Sequence, residues 1–393
     1  MNILYQTYGK VHSFKGGTER TTVTVASVLT KQYGAKCFSI YEKPADTPKE
    51  DCFVKEFLWK PQKELSKNIQ ALRNIIDENR IDCVIVQGAF IHVSRFKAAV
   101  EGTACKVVFA HHFEPRWELV FGRFGDIIKY KPGSFIDFAR WIKSILMYPL
   151  TTIRKEKQLS SAYRIAYESA DRVVLLCHNF IKSYGEFAGI HDHSNYTVIP
   201  NALSFDVKSS FDELSKQKEV LIVARFDEPS KRLSLALRIW KRVKQNPIAN
   251  DWTLKIVGDG NDRDLYERII QDEHIPDVSL EGRQDPIPYY KEASIFMMTS
   301  RSESWGLTLT EAQQMGTVPI AFDSYASLHD IITNNENGVI IEEGDIDDYV
   351  NRMKTLMSDK KLLDRMAKQA IISTERFSKR RIAEMWWELL TEK

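Results

Sequence analysis

The sequence predicts an α/β protein of two doubly wound domains, each a parallel sheet with helices on both faces. Three observations carry this. Short apolar runs alternate with longer amphipathic stretches along most of the chain. The alternation pauses after Asn201 and then restarts from the beginning. The chain has 393 residues, a length that favours two packed domains over one.

In the first half, strands are expected at 2–6, 36–41, 83–87, 106–111 and 172–177, with helices at 21–33, stopped by Gly34, and at 65–78. Runs apolar on both faces and separated by helices indicate parallel pairing. The stretch 204–218 is polar and reads mainly as a linker. Beyond it come strands at 220–225, 254–257, 278–280, 295–299, 318–321 and 339–341. From Asp345 onward the pattern is helical, and a last helix at 379–390 carries Ile382, Met385, Trp386 and Leu389 at helical spacing. In open sheets of this kind ligands bind beyond the carboxyl ends of the strands, so the residues following each strand are where chemistry belongs.

Composition narrows the function classes. The apolar share of 43%, the charged share of 27% and a formal net charge of +2 describe an ordinary globular protein and argue against nucleic acid as a partner. Cys37, Cys52, Cys83, Cys105 and Cys177 are scattered with no C-x-x-C spacing, as expected of buried thiols in a reducing compartment. The N-terminus reads as a strand rather than a signal peptide, and no apolar run reaches the ~18 residues of a membrane span. The expected location is the cytoplasm.

The strongest chemical signal follows the strand at 295–299. Glu303 and Glu311 are separated by seven residues, Ser304-Trp305-Gly306-Leu307-Thr308-Leu309-Thr310, and Gly316-Thr317-Val318-Pro319-Ile320 follows. A helix beginning near Leu307 puts the amides of Trp305, Gly306 and Leu307 at its N-terminus, where unpaired N–H groups and the helix dipole favour an anion such as a diphosphate. Two carboxylates beside such an anion make sense as hydrogen-bond acceptors for hydroxyls on either side of it. The second signal is Arg225, with Lys231 and Arg232, after the strand at 220–225: fixed positive charge of the kind a departing diphosphate needs. The third is Gly258-Asp259-Gly260, a tight turn opening a helix, with backbone free to approach a nucleotide.

These motifs, over about 220–344, resemble the retaining GT-B glycosyltransferases of family 4, whose signature is a glutamate, seven residues and a second glutamate. Ser304 and Trp305 depart from that pattern, where glycine and phenylalanine are usual. The resemblance implies two Rossmann-like domains facing across a cleft: an acceptor-binding domain at 1–203, a nucleotide-sugar domain at 204–375, and a C-terminal helix at 376–393 crossing back to the first domain. It implies that Glu303 contacts the transferred sugar, that Gly306 and Leu307 supply amides near sugar and phosphate, and that Glu311 binds ribose hydroxyls. Arg225 and Lys231 then face the diphosphate. The gap between them is six residues where the family has five, so Arg232 is the alternative to Lys231. Arg283, after the strand at 278–280, falls near the base. In the first domain the resemblance points to the Gly16-Gly17 pair, where backbone approaches the donor, and to a histidine at the end of the 106–111 strand, His112 before His111.

The implied reaction moves a hexose-type sugar from a nucleotide diphosphate sugar, UDP-sugar ahead of GDP-sugar, to a hydroxyl of a glycan or lipid-linked acceptor, in surface polysaccharide biosynthesis. Other readings within reach are a nucleotide-sugar epimerase, a phosphorylase, or a non-catalytic subunit of this fold. No cofactor or metal is expected. Asp262-Arg263-Asp264 has a metal-binding D-x-D form but lies at a helix start, where acidic residues are favoured by the dipole alone.

One segment stands apart from these motifs. Residues 116–157 hold nine Lys/Arg against four Asp/Glu, and within them Phe135, Phe138, Ala139, Ile142, Ile145 and Leu146 share a helical face that is expected to end at Pro149. A basic amphipathic helix with Trp141 and Tyr148 reads as one lying on a membrane surface; packing of the same face into the first domain is the alternative.

Overall fold

The computed structural model describes residues 1–13, 16–119, 133–206, 211 and 215–392. The chain divides into two compact units, Met1–Pro200 with Ala383–Lys393, and Asn201–Ile382.

The first unit is built on a seven-stranded parallel sheet: β1 (Asn2–Gly9), β2 (Lys36–Lys43), β3 (Phe53–Leu58), β4 (Cys83–Val86), β5 (Lys106–His111), β6 (Arg172–Leu175) and β7 (Tyr196–Val198), in the order β3-β2-β1-β4-β5-β6-β7. Its helices are α1 (Gly17–Tyr33), α2 (Leu65–Glu78), α3 (Phe90–Ala99), α4 (Phe135–Ser169) and α5 (His178–Ala188). The central strands are the continuous apolar runs: every residue of Cys83–Val86 is buried. The edge strand β3 was not expected from sequence. Its Phe53 is buried while Val54 and Lys55 are exposed, so it lacks a continuous apolar run. With only three residues, β7 gives no pattern to read.

The second unit repeats the design with β8 (Gln217–Val223), β9 (Thr253–Val257), β10 (Val278–Gly282), β11 (Ala293–Met298), β12 (Val318–Phe322) and β13 (Val339–Ile341), in the order β10-β9-β8-β11-β12-β13, all pairs parallel. Its helices are α6 (Glu228–Lys231), α7 (Leu233–Val243), α8 (Arg263–Asp272), α9 (Ile287–Glu292), α10 (Leu307–Gln314), α11 (Leu328–Ile331), α12 (Ile346–Ser358) and α13 (Lys360–Thr374). Trp240, Leu237 and Tyr349 from the helices pack on Ile222, Ile256 and Ile320 of the sheet. The last helix, α14 (Lys379–Thr391), begins in the second unit and ends in the first, where Trp387 stacks on Tyr33 at 4.7 Å.

Two expectations are corrected. The linker read at 204–218 gives way to β8 from Gln217. The polar start of this strand stays in place because Lys216 donates to the carbonyls of Tyr290 and Ala293 and to the Thr317 hydroxyl. Pro149 does not end the amphipathic helix: α4, 35 residues long, continues through it to Ser169. A proline at a helical φ costs one intrahelical hydrogen bond, and the downstream turns are anchored by buried Tyr163, Ala166 and Tyr167. All five cysteines are buried, and none forms a disulfide.

Candidate active site

In the second unit, two strand ends meet at one small cavity. Its wall includes Ala224, Lys231, Thr299, Ser300, Glu303 and Thr308. Lys231 reaches it on a short helical turn that is stapled to the segment after β11. The Thr299 hydroxyl donates to the Lys231 carbonyl at 3.0 Å, and the Arg301 amide donates to the Ser230 carbonyl at 2.8 Å. These bonds bring the Lys231 ammonium within 2.5 Å of Glu303 Oε1, which also accepts from the Ser300 hydroxyl at 2.7 Å. Both partners are mostly but not fully buried, at 21% and 15% side-chain exposure, so a ligand can still reach them.

Arg232 does a different job. Its guanidinium donates to the Thr299 and Ser300 carbonyls and pairs with Glu343, so it is spent on holding the loop that carries Glu303. Arg232 sits at φ 50° between α6 and α7, directly after Lys231. The structure thus brings Lys231, rather than Arg232, to Glu303.

Gly306 caps α10 at φ 82°, a backbone state that side chains rarely adopt. A Cβ there would lie 3.1 Å from the Tyr325 hydroxyl and 3.3 Å from Leu309 Cδ1. The helix start that follows, with Leu307 and Thr308, lies on the cavity side through Thr308. The Trp305 side chain turns away into the core, 2% exposed and edge-on to Phe377 at 5.2 Å, which leaves only its backbone for a ligand.

The remaining expected residues of this unit lie apart from the pair. Arg225 lies two residues beyond β8, largely exposed, with its guanidinium on Asp227 at 2.7 Å. Arg283 is exposed just past β10. At Gly258 the close approach is made by the chain itself: a Cβ would meet the Ala224 carbonyl oxygen at 1.8 Å, and one on Gly260 would meet the Phe226 carbonyl oxygen at 2.3 Å. The G-x-G turn therefore seats the Ala224–Phe226 segment that carries Arg225. Asp262 at the start of α8 accepts from the Glu228 amide at 2.7 Å, a structural role.

Glu311 is 1% exposed, and its two oxygens accept from the Ser204 hydroxyl at 2.6 Å and the Tyr290 hydroxyl at 3.0 Å. Sequence reasoning found Glu311 but neither partner. Ser204 lies in a stretch that gave no signal, and Tyr290 carries no motif.

In the first unit the ends of β1, β4 and β5 carry a neutral polar network. The Gln87 amide nitrogen is 2.9 Å from His112 Nε2, and its carbonyl oxygen accepts from the Thr22 hydroxyl at 2.8 Å. With the amide so oriented, His112 Nε2 accepts. Buried Gln6 takes the Gly88 amide at 3.1 Å. His111, next along the extended chain, points the other way into Phe90, Tyr163 and Tyr184. Burial pushes its imidazole down to about 3, with His112 adding to the shift. Gly16 and Gly17 are exposed at the start of α1, and Gly16 has an extended backbone rather than a positive φ. Among the described residues no group of three or more His, Cys, Asp or Glu is placed to hold a metal ion.

Comparison with known proteins agrees with this architecture. Residues 206–372 match the family model "Glycosyl transferases group 1". An uncharacterized glycosyltransferase of Haemophilus influenzae is 22% identical over 95% of this chain and 96% of its own length. The amylovoran biosynthesis glycosyltransferase AmsD of Erwinia amylovora is 26% identical over 57% of this chain and 63% of its own. Among solved structures, Anabaena HepE in complex with UDP superposes with a TM-score of 0.74 at 16% identity, covering 100% of both chains. The fold is GT-B, and the family model and relatives together support a glycosyltransferase.

Proposed function

We propose that the chain is a retaining hexosyltransferase that takes its sugar from a nucleotide diphosphate sugar, UDP-sugar before GDP-sugar, and passes it to a hydroxyl of a glycan or lipid-linked acceptor in surface polysaccharide synthesis. The observation that carries the reading is the Lys231–Glu303 pair beside the first turn of α10. A cation, a carboxylate and helix N-terminal amides within one cavity suit a sugar diphosphate, which presents hydroxyls on one side and anionic oxygens on the other.

In this reading the diphosphate takes the Lys231 ammonium and the amides of Gly306 and Leu307, and Arg225 exchanges Asp227 for phosphate oxygens. As the anomeric C–O bond breaks, negative charge grows on the leaving phosphate, and these fixed cations and dipoles favour that state over the ground state. The acceptor hydroxyl attacks on the same face and yields its proton to the departing phosphate oxygen, so the configuration is retained. Glu303 accepts hydrogen bonds from sugar hydroxyls. Its oxygen is already engaged by Lys231 and Ser300, which weakens it as a nucleophile. Glu311 serves the ribose, Arg283 and Gly258 serve the base, and the first unit takes the acceptor beside His112, with the backbone of Gly16 and Gly17 approaching the donor. All positive charge in this scheme comes from side chains and helix amides, with no cofactor.

Nucleotide release from UDP-, GDP- and ADP-sugars, with and without a glycan acceptor panel, tests this directly. Release from one donor, dependent on acceptor and lost in Lys231→Ala, is expected, with the product anomer read by NMR. Binding of none of the nucleotides would sink the donor site. Epimerised donor without transfer, or an inverted product, would replace the reaction.

A further inference from the structure

From α4 the structure offers a surface that the donor site does not use. Its first five turns project apolar side chains into solvent: Phe138, Ile142, Leu146, Leu150 and Ile153 follow one another at three- and four-residue spacing. At that spacing they form one continuous stripe. Leu146 is 72% exposed, Leu150 64% and Ile153 63%, and Ile136 and Met147 widen the patch. The alternative, that this face packs into the first unit, does not hold for the described side chains; Phe135 lies outside them. Further along, the same helix is anchored through buried Tyr163, Ala166 and Tyr167.

The charges beside the stripe identify its occupant. Arg140, Lys143 and Arg154 lie along its solvent-side flank, Lys143 and Arg154 exposed. Residues 134–157 hold five Lys/Arg against Asp137 and Glu156. Half-buried Trp141 and Tyr148 run along the opposite flank. A second copy meeting this face antiparallel about a two-fold axis would set cation against cation. An anionic bilayer meets the cations with phosphate and the stripe with acyl chain, and a helix lying in the interface satisfies both at once. We infer that residues 136–157 of α4 lie in the surface of an anionic lipid bilayer, apolar stripe toward the acyl chains and Lys143 and Arg154 at the headgroups. Among the described residues no helix is long and apolar enough to cross a membrane, so the attachment is peripheral.

The test uses the whole chain and reads lipid binding alone, so its failure leaves the donor-site reading standing. Vesicles of phosphatidylcholine with and without one-third phosphatidylglycerol are floated with the protein at low and high salt. Flotation with the anionic vesicles, falling at least fivefold at high salt, is expected. Leu146→Glu/Leu150→Glu should lose it at least tenfold, and Lys143→Glu/Arg154→Glu should remove the preference for anionic lipid. All four sites are exposed, so folding should be preserved, as thermal melting would report. No flotation at low salt overturns the inference, and so does equal binding to neutral vesicles. Self-association in light scattering that Leu146→Glu/Leu150→Glu abolishes would assign the stripe to a second copy instead.

Discussion

The two units share one strand order over six strands, the first adding β7 at its edge, and β8 stands where β1 stands, yet their strand ends differ in kind. In the second unit the residues beyond β8 and β11 are charged, and Lys231 and Glu303 stay partly exposed. In the first, β1 and the corresponding ends of β4 and β5 carry Gln6, Gln87 and His112, an amide and imidazole network that is largely buried. Neutral amides satisfy one another in a dry interior at little cost, whereas a charge must keep contact with water or with an opposite charge. One scaffold therefore offers an anion-competent end and a hydroxyl-competent end. The chemistry lies in the loops rather than in the fold.

Removing the charge in the second unit should do the most damage. Lys231→Ala leaves Glu303 with Ser300 and no cation, and deletes the charge assigned to the leaving group. By analogy with loss of one transition-state donor, turnover should fall about 10²- to 10³-fold. Glu303→Ala should fall comparably, and both should melt close to wild type. Steady-state rates with the donor that the nucleotide-release screen selects check this, and an unchanged rate in either variant would erase the contrast between the units.

The next largest effect belongs to the first unit and concerns stability. His111 is fully buried, and its imidazole is pushed from an ordinary 6.5 to about 3. Between those values the unfolded chain binds a proton that the folded chain refuses, so folding weakens as pH falls from 6.5 toward 3. The loss should reach roughly 3 kcal/mol by about pH 4. His111→Phe suits the surrounding rings and leaves Tyr163 its bonds to Glu118 and the Arg116 amide, so the acid loss should flatten. Urea unfolding at a series of pH values measures it. An equally steep acid loss in the variant would move its origin elsewhere.

A milder effect is expected within the neutral network. Gln87→Leu removes the amide that fixes His112 Nε2 as an acceptor, while Thr22 keeps its bond to the Thr18 carbonyl. The acceptor kcat/KM should drop about tenfold, near the value of one or two hydrogen bonds, with donor hydrolysis unchanged. A matching fall in donor hydrolysis would mean that the two ends are not divided by ligand.

The contrast also separates what the sequence could show from what it could not. Buried central strands such as Cys83–Val86 and Val318–Phe322 are legible because both faces are apolar. Edge strand β3 is not, since half its residues face water. Glu303 and Lys231 were legible as charged residues following strands. Ser300, Ser204, Tyr290 and Gln87 were not, because a hydroxyl or amide that orients a charged group is no different in sequence from one bonded to its own turn. What Gly258 makes room for within the chain was hidden for a related reason. A glycine that admits a ligand and one that admits a neighbouring carbonyl look the same until the Ala224 oxygen is found 1.8 Å from its missing Cβ.

The smallest effect decides what Glu311 is for. Its Oε1 accepts from Ser204 and its Oε2 from Tyr290, and with the carboxylate 1% exposed these hydroxyls cover it, so a ribose diol reaches it most directly by displacing one of them. Ser204 is the easier one to displace. It belongs to the segment entering the second unit, which is also held by Gln314 on the Phe205 carbonyl and by the Leu203 amide on the Phe377 carbonyl. Tyr290 is fully buried. Ser204→Ala removes that competitor while leaving the carboxylate bonded to Tyr290. If the ribose takes its place, the donor KM should fall two- to threefold, about what one weak competing hydrogen bond is worth, while the free protein loses about 1 kcal/mol of stability. Titration of nucleotide and thermal melting of the same variant read both quantities. A lower melting temperature with an unchanged nucleotide affinity would make Glu311 a clasp for the entering segment. The charged end of the second unit would then consist of Lys231, Glu303, Arg225 and the α10 amides.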